Sequence, residues 1–257
     1  LDSMINIIDQ RKAEILEANK KDLEAFNRDD QALYDRLVVN DKKVAGMIQA
    51  IQEVRNQDDP VSQEISNVTL DSGLNIVNKT APFGTILIIY ESRPDVTIEA
   101  AVLAFKANNK ILLKGGKEAY NSNVVLVDCW KQALRENNLD EDWITMLQLN
   151  REETQEFLRN PDQPLDLIVP RGGERLIAFV KQHAQCAVLV SGRGNNFLYV
   201  DEDASWQKSV EVILNAKTHK ISACNAFSWA CTKSSKYKPL FFSFSAWTMP
   251  FNLDNSC

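Results

Sequence analysis

The chain has 257 residues, 44% hydrophobic and 25% charged, enough to bury a sizeable core as one large domain or two modest ones. Its net charge of −6 argues against nucleic-acid binding, which calls for a basic face. The 5 cysteines form no CxxC pair and share no ligand spacing with the 2 histidines, so neither a zinc site nor a disulfide framework is indicated.

The first segment, LDSMINIIDQRKAEILEANKKDLEAF, is charged and amphipathic and unlike a secretory leader. Its start on Leu1 rather than Met points to a true beginning upstream. Apolar residues recur at helical spacing from Ile5 to Phe26, which predicts one surface-packed helix, and a second is predicted from Asp41 to Val54. LNIVNKTAPFGTILIIY, residues 74–90, is β-branched and broken by Pro82 and Gly84, so two strands are expected. TILIIY is a continuous apolar run, the mark of a strand buried on both faces of a parallel sheet. VTIEAAVLAFKA then predicts a helix, KILLK a strand, and EAYNSNVVLVDCWKQAL a helix. LDLIVP is again a strand, GERLIAFVKQ a helix with His183 following on its surface, and CAVLV a strand. This alternation predicts an α/β fold with a doubly wound, Rossmann-type nucleotide-binding domain. No apolar run is long enough to span a membrane, and a cytoplasmic setting is expected.

Two stretches pair a buried strand with a glycine turn and a helix. In LLKGGKEA, residues 112–119, Gly115 and Gly116 allow close backbone approach, while Lys114 and Lys117 flank them and Glu118 opens the helix. In DLIVPRGGERLI, residues 166–177, Arg171, Gly172 and Gly173 repeat the design. Neither matches GxGxxG, and each alone is also readable as a tight turn with solvated cations. Two in one α/β domain favour dinucleotide binding. Arg93 ends the strand in YESRPDV, where open α/β sheets bind ligands, and its planar fork suits a phosphate or carboxylate; a surface pair with Glu91 is the plain alternative. Cys224, in NAKTHKISACNAF, follows Lys217, His219 and Lys220, cations that favour a thiolate nucleophile, whereas a lone cysteine is otherwise a small buried apolar residue. Cys129 and Cys186 stay with that plain reading.

PFGTILIIYESRPDVT, ILLKGGKEA, DLIVPRGGERLI, LYVDEDA and NAKTHKISACNA occur in this order, and the set resembles the γ-glutamyl phosphate reductase (glutamate-5-semialdehyde dehydrogenase) family of the aldehyde dehydrogenase superfamily. The resemblance covers roughly residues 5–226 and implies an aldehyde dehydrogenase-like fold: N-terminal helices and an NADP-binding domain over 1–210, then the start of a second α/β catalytic domain over 211–226. It implies NADPH-dependent reduction of L-glutamyl 5-phosphate to L-glutamate 5-semialdehyde in proline biosynthesis. Cys224 would form the thioester, with Asn225 beside it in the catalytic set and Arg93 stabilising the oxyanion or phosphate. Lys114, Gly115, Gly116, Lys117 and Glu118 would hold the adenosine side of NADPH, with Arg171, Gly172 and Gly173 near the pyrophosphate. The family also implies a homo-oligomer and channelling from glutamate 5-kinase.

The chain departs from the family in two places. GRGNNF, residues 192–197, replaces a glycine, small residues, a Cys and a His, and after Ala226 an aromatic-rich segment without helical or strand period replaces the family's continuation. A frameshift, a misread splice junction or a gene fragment would produce such an end. Residues 227–257 are therefore expected to be unrelated to the family and poorly ordered, and the family's oligomer is expected to be lost. Two rival readings follow: a dinucleotide-binding fragment without turnover, and another acyl-phosphate or acyl-CoA reductase of the same superfamily.

Overall fold

The computed structural model describes residues 1–27, 30–190, 196–219 and 227–232. The chain divides into two units, Leu1–Val190 and Ser191–Cys257, so the predicted first domain, 1–210, straddles the division.

The first unit opens with α1 (Asp2–Gln10) and α2 (Lys12–Ala25) in place of the single helix expected. The break is at Arg11, whose φ of −95° and ψ of 13° leave helical geometry. Its guanidinium is drawn outward to Glu14 at 2.8 Å and Asp128 at 2.7 Å. Next come α3 (Gln31–Leu37), which the sequence reading missed, and α4 (Asp41–Arg55); the Asp30 and Asn40 side chains accept from backbone N–H groups in their first turns. A hairpin follows, β1 (Glu64–Thr69) and β2 (Asn75–Lys79), antiparallel and exposed along both strands.

The α/β core runs β3 (Thr85–Tyr90), α5 (Pro94–Lys106), β4 (Lys110–Lys114), α6 (Tyr120–Glu136), β5 (Ile144–Met146), α7 (Arg151–Arg159), β6 (Leu167–Arg171), α8 (Glu174–His183) and β7 (Ala187–Val188). These strands form a five-stranded sheet in the order β5-β4-β3-β6-β7, with every neighbouring pair parallel. The chain winds outward from β3 to β5, then returns to β6 on the other side. The order reverses between β3 and β6, and such a switch point leaves a crevice at the carboxyl ends of the two strands.

Alternation along the strands divides the core in two. Ile88, Tyr90, Ile111 and Leu113 pack with Met4, Ile8, Ile51, Val96 and Trp130, on the face covered by α1, α4, α5 and α6. Leu87, Ile89, Leu112 and Ile168 pack with Phe157, Leu158 and Val180, on the face covered by α7 and α8. His183, expected on the surface, is 7% exposed and sits edge-to-face on Phe179 with ring centroids 4.9 Å apart. The second unit holds β8 (Asn196–Val200), α9 (Trp206–Thr218) and β9 (Phe227–Thr232), with β8 and β9 parallel. The first six residues of the segment expected to be poorly ordered therefore form a strand, while residues 233–257 lie outside the described residues.

One carboxylate ties the N-terminal helices to the sheet domain. Asp22 of α2 is 3% exposed, and its oxygens accept from Asn121 N and Nδ2 and from Ser122 N and Oγ at 2.6–2.9 Å. Those amides are the unpaired donors of the first turn of α6, so a side chain about 100 residues away caps that helix. Asp22→Ala leaves these donors buried and unpaired. It is expected to destabilise the protein by about 3 kcal/mol, read as a lower urea midpoint at unchanged m-value.

Candidate active site

Three loops meet at the switch point. Ile89 pairs with Lys114, and Tyr90 with Arg171, so β3, β4 and β6 end at one level and release Glu91, Gly115 and Gly172 side by side. The first loop turns sharply at Ser92, whose φ of 43° is the left-handed conformation that non-glycine residues rarely adopt. It is held there by Glu118, which accepts from both Ser92 N and Ser92 Oγ at 2.7 Å. Arg93 follows, exposed at the N-terminus of α5; its carbonyl accepts from Val96 N at 3.1 Å, and its side chain is in no hydrogen bond or ion pair with a described residue. The expected Arg93–Glu91 surface pair is not formed.

Behind this turn runs a buried polar chain. Tyr90 Oη lies 2.7 Å from Thr97 Oγ1, which donates to Asn123 Oδ1 at 2.8 Å. Asn123 Nδ2 is buried without an acceptor, directly against Gly115. A Cβ on Gly115 would overlap that amide and come within 3.2 Å of the Tyr90 ring. The glycine that the sequence offers for phosphate approach is thus required by packing. A 3₁₀ turn, Lys117–Ala119, separates the glycines from α6, so the helix does not begin at Glu118 as expected.

On the α7–α8 face, a cleft of about 290 Å³ is lined by Glu91, Lys114, Arg151, Thr154, Arg175 and Phe179, among others. Lys114 is half-buried, and burial lowers its pKa from the ordinary value while the charge of Glu118 partly opposes this. Arg151 and Arg175 stand in the first turns of α7 and α8, where helix dipoles disfavour cations, and neither is in an ion pair with a described residue. Arg151 stacks over Phe179, 5.5 Å from the ring centroid. Glu91 Oε2 accepts from Gly173 N at 3.3 Å, a carboxylate standing where the N-terminus of α8 offers an anion site. Three cations converging with only one carboxylate favour a polyanionic ligand, and the backbone at Gly173 is open, with no atom within 4 Å of a Cβ added there.

Of the expected cofactor residues, the structure brings Lys114 into the cleft and places Gly172 and Gly173 at the head of α8, which forms its wall. Glu118 is engaged by Ser92, and Lys117 lies on the 3₁₀ turn. Arg171 follows the alternation of Val169 and projects on the opposite face, where its charge acts on Glu99 of α5. Cys224 and Asn225 lie outside the described residues. Burial pushes the Cys129 thiol up to about 11, and Cys186 is also raised by burial, so neither is a thiolate at neutral pH. Sequence reasoning missed Arg151 and Thr154 because it placed no helix at 151–159. The available signal was Asn150 followed three residues later by Glu153, which form a capping box.

No family model matches the chain. Its fold is aldehyde dehydrogenase-like: a propionaldehyde dehydrogenase from Rhodopseudomonas palustris superposes with a TM-score of 0.62 at 16% identity, over 90% of this chain and 48% of that one. A γ-glutamyl phosphate reductase from Persephonella marina is 41% identical over 219 residues, which is 84% of this chain and 49% of the relative. The crystal structure of γ-glutamyl phosphate reductase from Thermotoga maritima matches with a TM-score of 0.82 at 40% identity, over 90% of this chain and 56% of that chain. The chain is thus similar to γ-glutamyl phosphate reductases over most of its own length, and it spans about half the length of the curated relatives it matches.

The two glycine turns differ in what they tolerate. Gly115→Ala is expected to destabilise by about 2 kcal/mol, because Tyr90 and Asn123 are buried and cannot yield freely. Gly173→Ala is expected to stay within ~0.5 kcal/mol of the parent in the same urea titration.

Proposed function

We propose that the chain carries the cofactor domain and the nucleophile segment of an NADPH-dependent reductase that converts L-glutamyl 5-phosphate to L-glutamate 5-semialdehyde with release of phosphate, in proline biosynthesis. The observation that carries this reading is the cationic cleft at the switch point, found in a chain about 40% identical to γ-glutamyl phosphate reductases over most of its length.

The residues present fit a dinucleotide. Lys114, Arg151 and Arg175 supply charge for its phosphates, the open Gly173 backbone lets an anion approach the amides of α8, and Leu176 and Phe179 offer apolar surface. A bound nicotinamide dinucleotide supplies the hydride. The chain's own contribution begins at Cys224. Its thiolate attacks the acyl carbon, the carbon–oxygen bond to phosphate breaks, and a thioester remains on sulfur. Arg93, exposed beside the crevice with no side-chain hydrogen bond or ion pair to a described residue, is assigned to the charge that develops on the acyl oxygen or the departing phosphate, and Asn225 is kept in the same catalytic set. Glu118 acts through Ser92 by holding the turn that presents Arg93.

NADPH titration followed by nucleotide fluorescence tests the cofactor half. Lys114→Ala and Arg175→Ala are each expected to weaken binding roughly tenfold, as loss of one charge-assisted contact would. Unchanged affinity in both would remove the cleft from the reading. The chemical half is tested by phosphate-dependent NADP reduction with glutamate semialdehyde. Cys224→Ser is expected to abolish turnover and Arg93→Ala to cost about 3 kcal/mol in kcat. Turnover that survives Cys224→Ser refutes the mechanism.

A further inference from the structure

A second cavity, of about 320 Å³, lies on the α4–α5 face of the sheet, opposite the Lys114 cleft. Asn40, Lys42, Lys43 and Met47 line one wall, and Asp95 and Glu99 of α5 line the other. The acidic wall is electrostatically incomplete. Asp95 and Glu99 are one turn apart on the helix, where like charges oppose each other. Asp95 Oδ1 is buried without a hydrogen-bond partner, and Glu99 is in no hydrogen bond or ion pair with a described residue. Burial, and then the charge of Asp95, holds the Glu99 carboxyl above its ordinary pKa, against the opposing charges of Arg171, Arg93 and Lys43. A buried acceptor left without a donor is an exception among folded proteins and calls for a reason. The N-terminus of α5 explains why an acid sits at position 95, but it supplies no donor to Oδ1.

An ammonium group entering the cavity would bring several donors to the wall that Asp95 and Glu99 line. The facing wall carries the opposite sign: Lys42 and Lys43 line it, with Lys43 Nζ anchored to Arg36 O at 2.8 Å. An acidic wall opposite a basic one is complementary to a zwitterion. Asp95 is two residues from Arg93, so the cavity opens beside the end of β3 where the acyl group is assigned.

Building on the proposed activity, we propose that this cavity receives the α-amino-acid end of the substrate. Asp95 and Glu99 bind its ammonium, Lys42 and Lys43 face its carboxylate, and the acyl end extends toward Arg93. The pair would make the site select an α-amino acid over the corresponding simple dicarboxylic monoacyl compound.

The test uses the 257-residue chain and two unreactive probes, L-glutamate 5-methyl ester and its deaminated analogue, monomethyl glutarate, titrated by calorimetry or ligand-observed NMR. The amino-acid ester is expected to bind at least about tenfold more tightly than the analogue, as loss of a charge-assisted ammonium contact implies. Asp95→Asn/Glu99→Gln is expected to abolish that preference while leaving NADPH affinity unchanged, which also confirms that the variant folds. Equal binding of the two probes by the parent chain, no binding of either, or a preference that survives in the double variant overturns the assignment. NADPH binding with any of those results leaves the cofactor reading standing and removes only this pocket; loss of NADPH binding by the parent chain removes the cofactor reading itself.

Discussion

The register of β3 against β4 and β6 decides which face of the sheet each charged residue reaches. β3 is buried on both faces, and its apolar run admits no slip, because a shift of one residue would turn every side chain to the other core. With Ile89 opposite Lys114 and Tyr90 opposite Arg171, the two cations at the strand ends take opposite parities. Lys114 follows Leu112 toward α7 and α8, and Arg171 follows Val169 toward α5. Lys114 thereby lines the basic cleft on one face, and the charge of Arg171 acts on Glu99 on the other.

The glycine turns were visible in the sequence because a buried strand, two glycines and a helix leave few alternatives. Their different jobs were not visible. Gly115 is fixed by Tyr90 and Asn123, which come from separate elements, whereas a Cβ on Gly172 would meet only the side-chain ends Glu91 Oε2 and Leu176 Cδ2, at 2.6 and 2.7 Å. In one turn the glycine serves packing, and in the other a neighbouring Gly173 is left open. The parity that separates Lys114 from Arg171 was readable in principle, since both follow alternating apolar residues, but only once the strand register was known.

Elements whose stability is local and patterned were legible: TILIIY, KILLK and the helices after them. The misses share a different cause. β5 is three residues long and gains its stability from β4, and β1 is exposed along its length, so neither carries a burial pattern. α7 is largely polar apart from Phe157 and Leu158, which left its capping signal at Asn150 and Glu153 as the main clue. The break at Arg11 reflects Asp128, more than 100 residues away, and the burial of His183 reflects packing around Phe179 in the smaller core. Each is a tertiary override of a local preference.

The rigidity of this region comes from groups that do no chemistry. Glu118 holds Ser92 in a strained conformation, and Asp22 holds the start of α6, the helix that carries Asn123 behind Gly115. The N-terminal helices thus act on the turn at Gly115 through α6 without lining the cleft. Reactive loops at a switch point need fixed backbones, because a polyanion is recognised by amides and cations that must already converge before it arrives. The same logic explains why Glu91 can sit at the head of α8. Its carboxylate partly compensates three cations gathered near the amides of a helix N-terminus. An anion arriving there would meet backbone amides and cations that already converge, beside a carboxylate carried on a side chain.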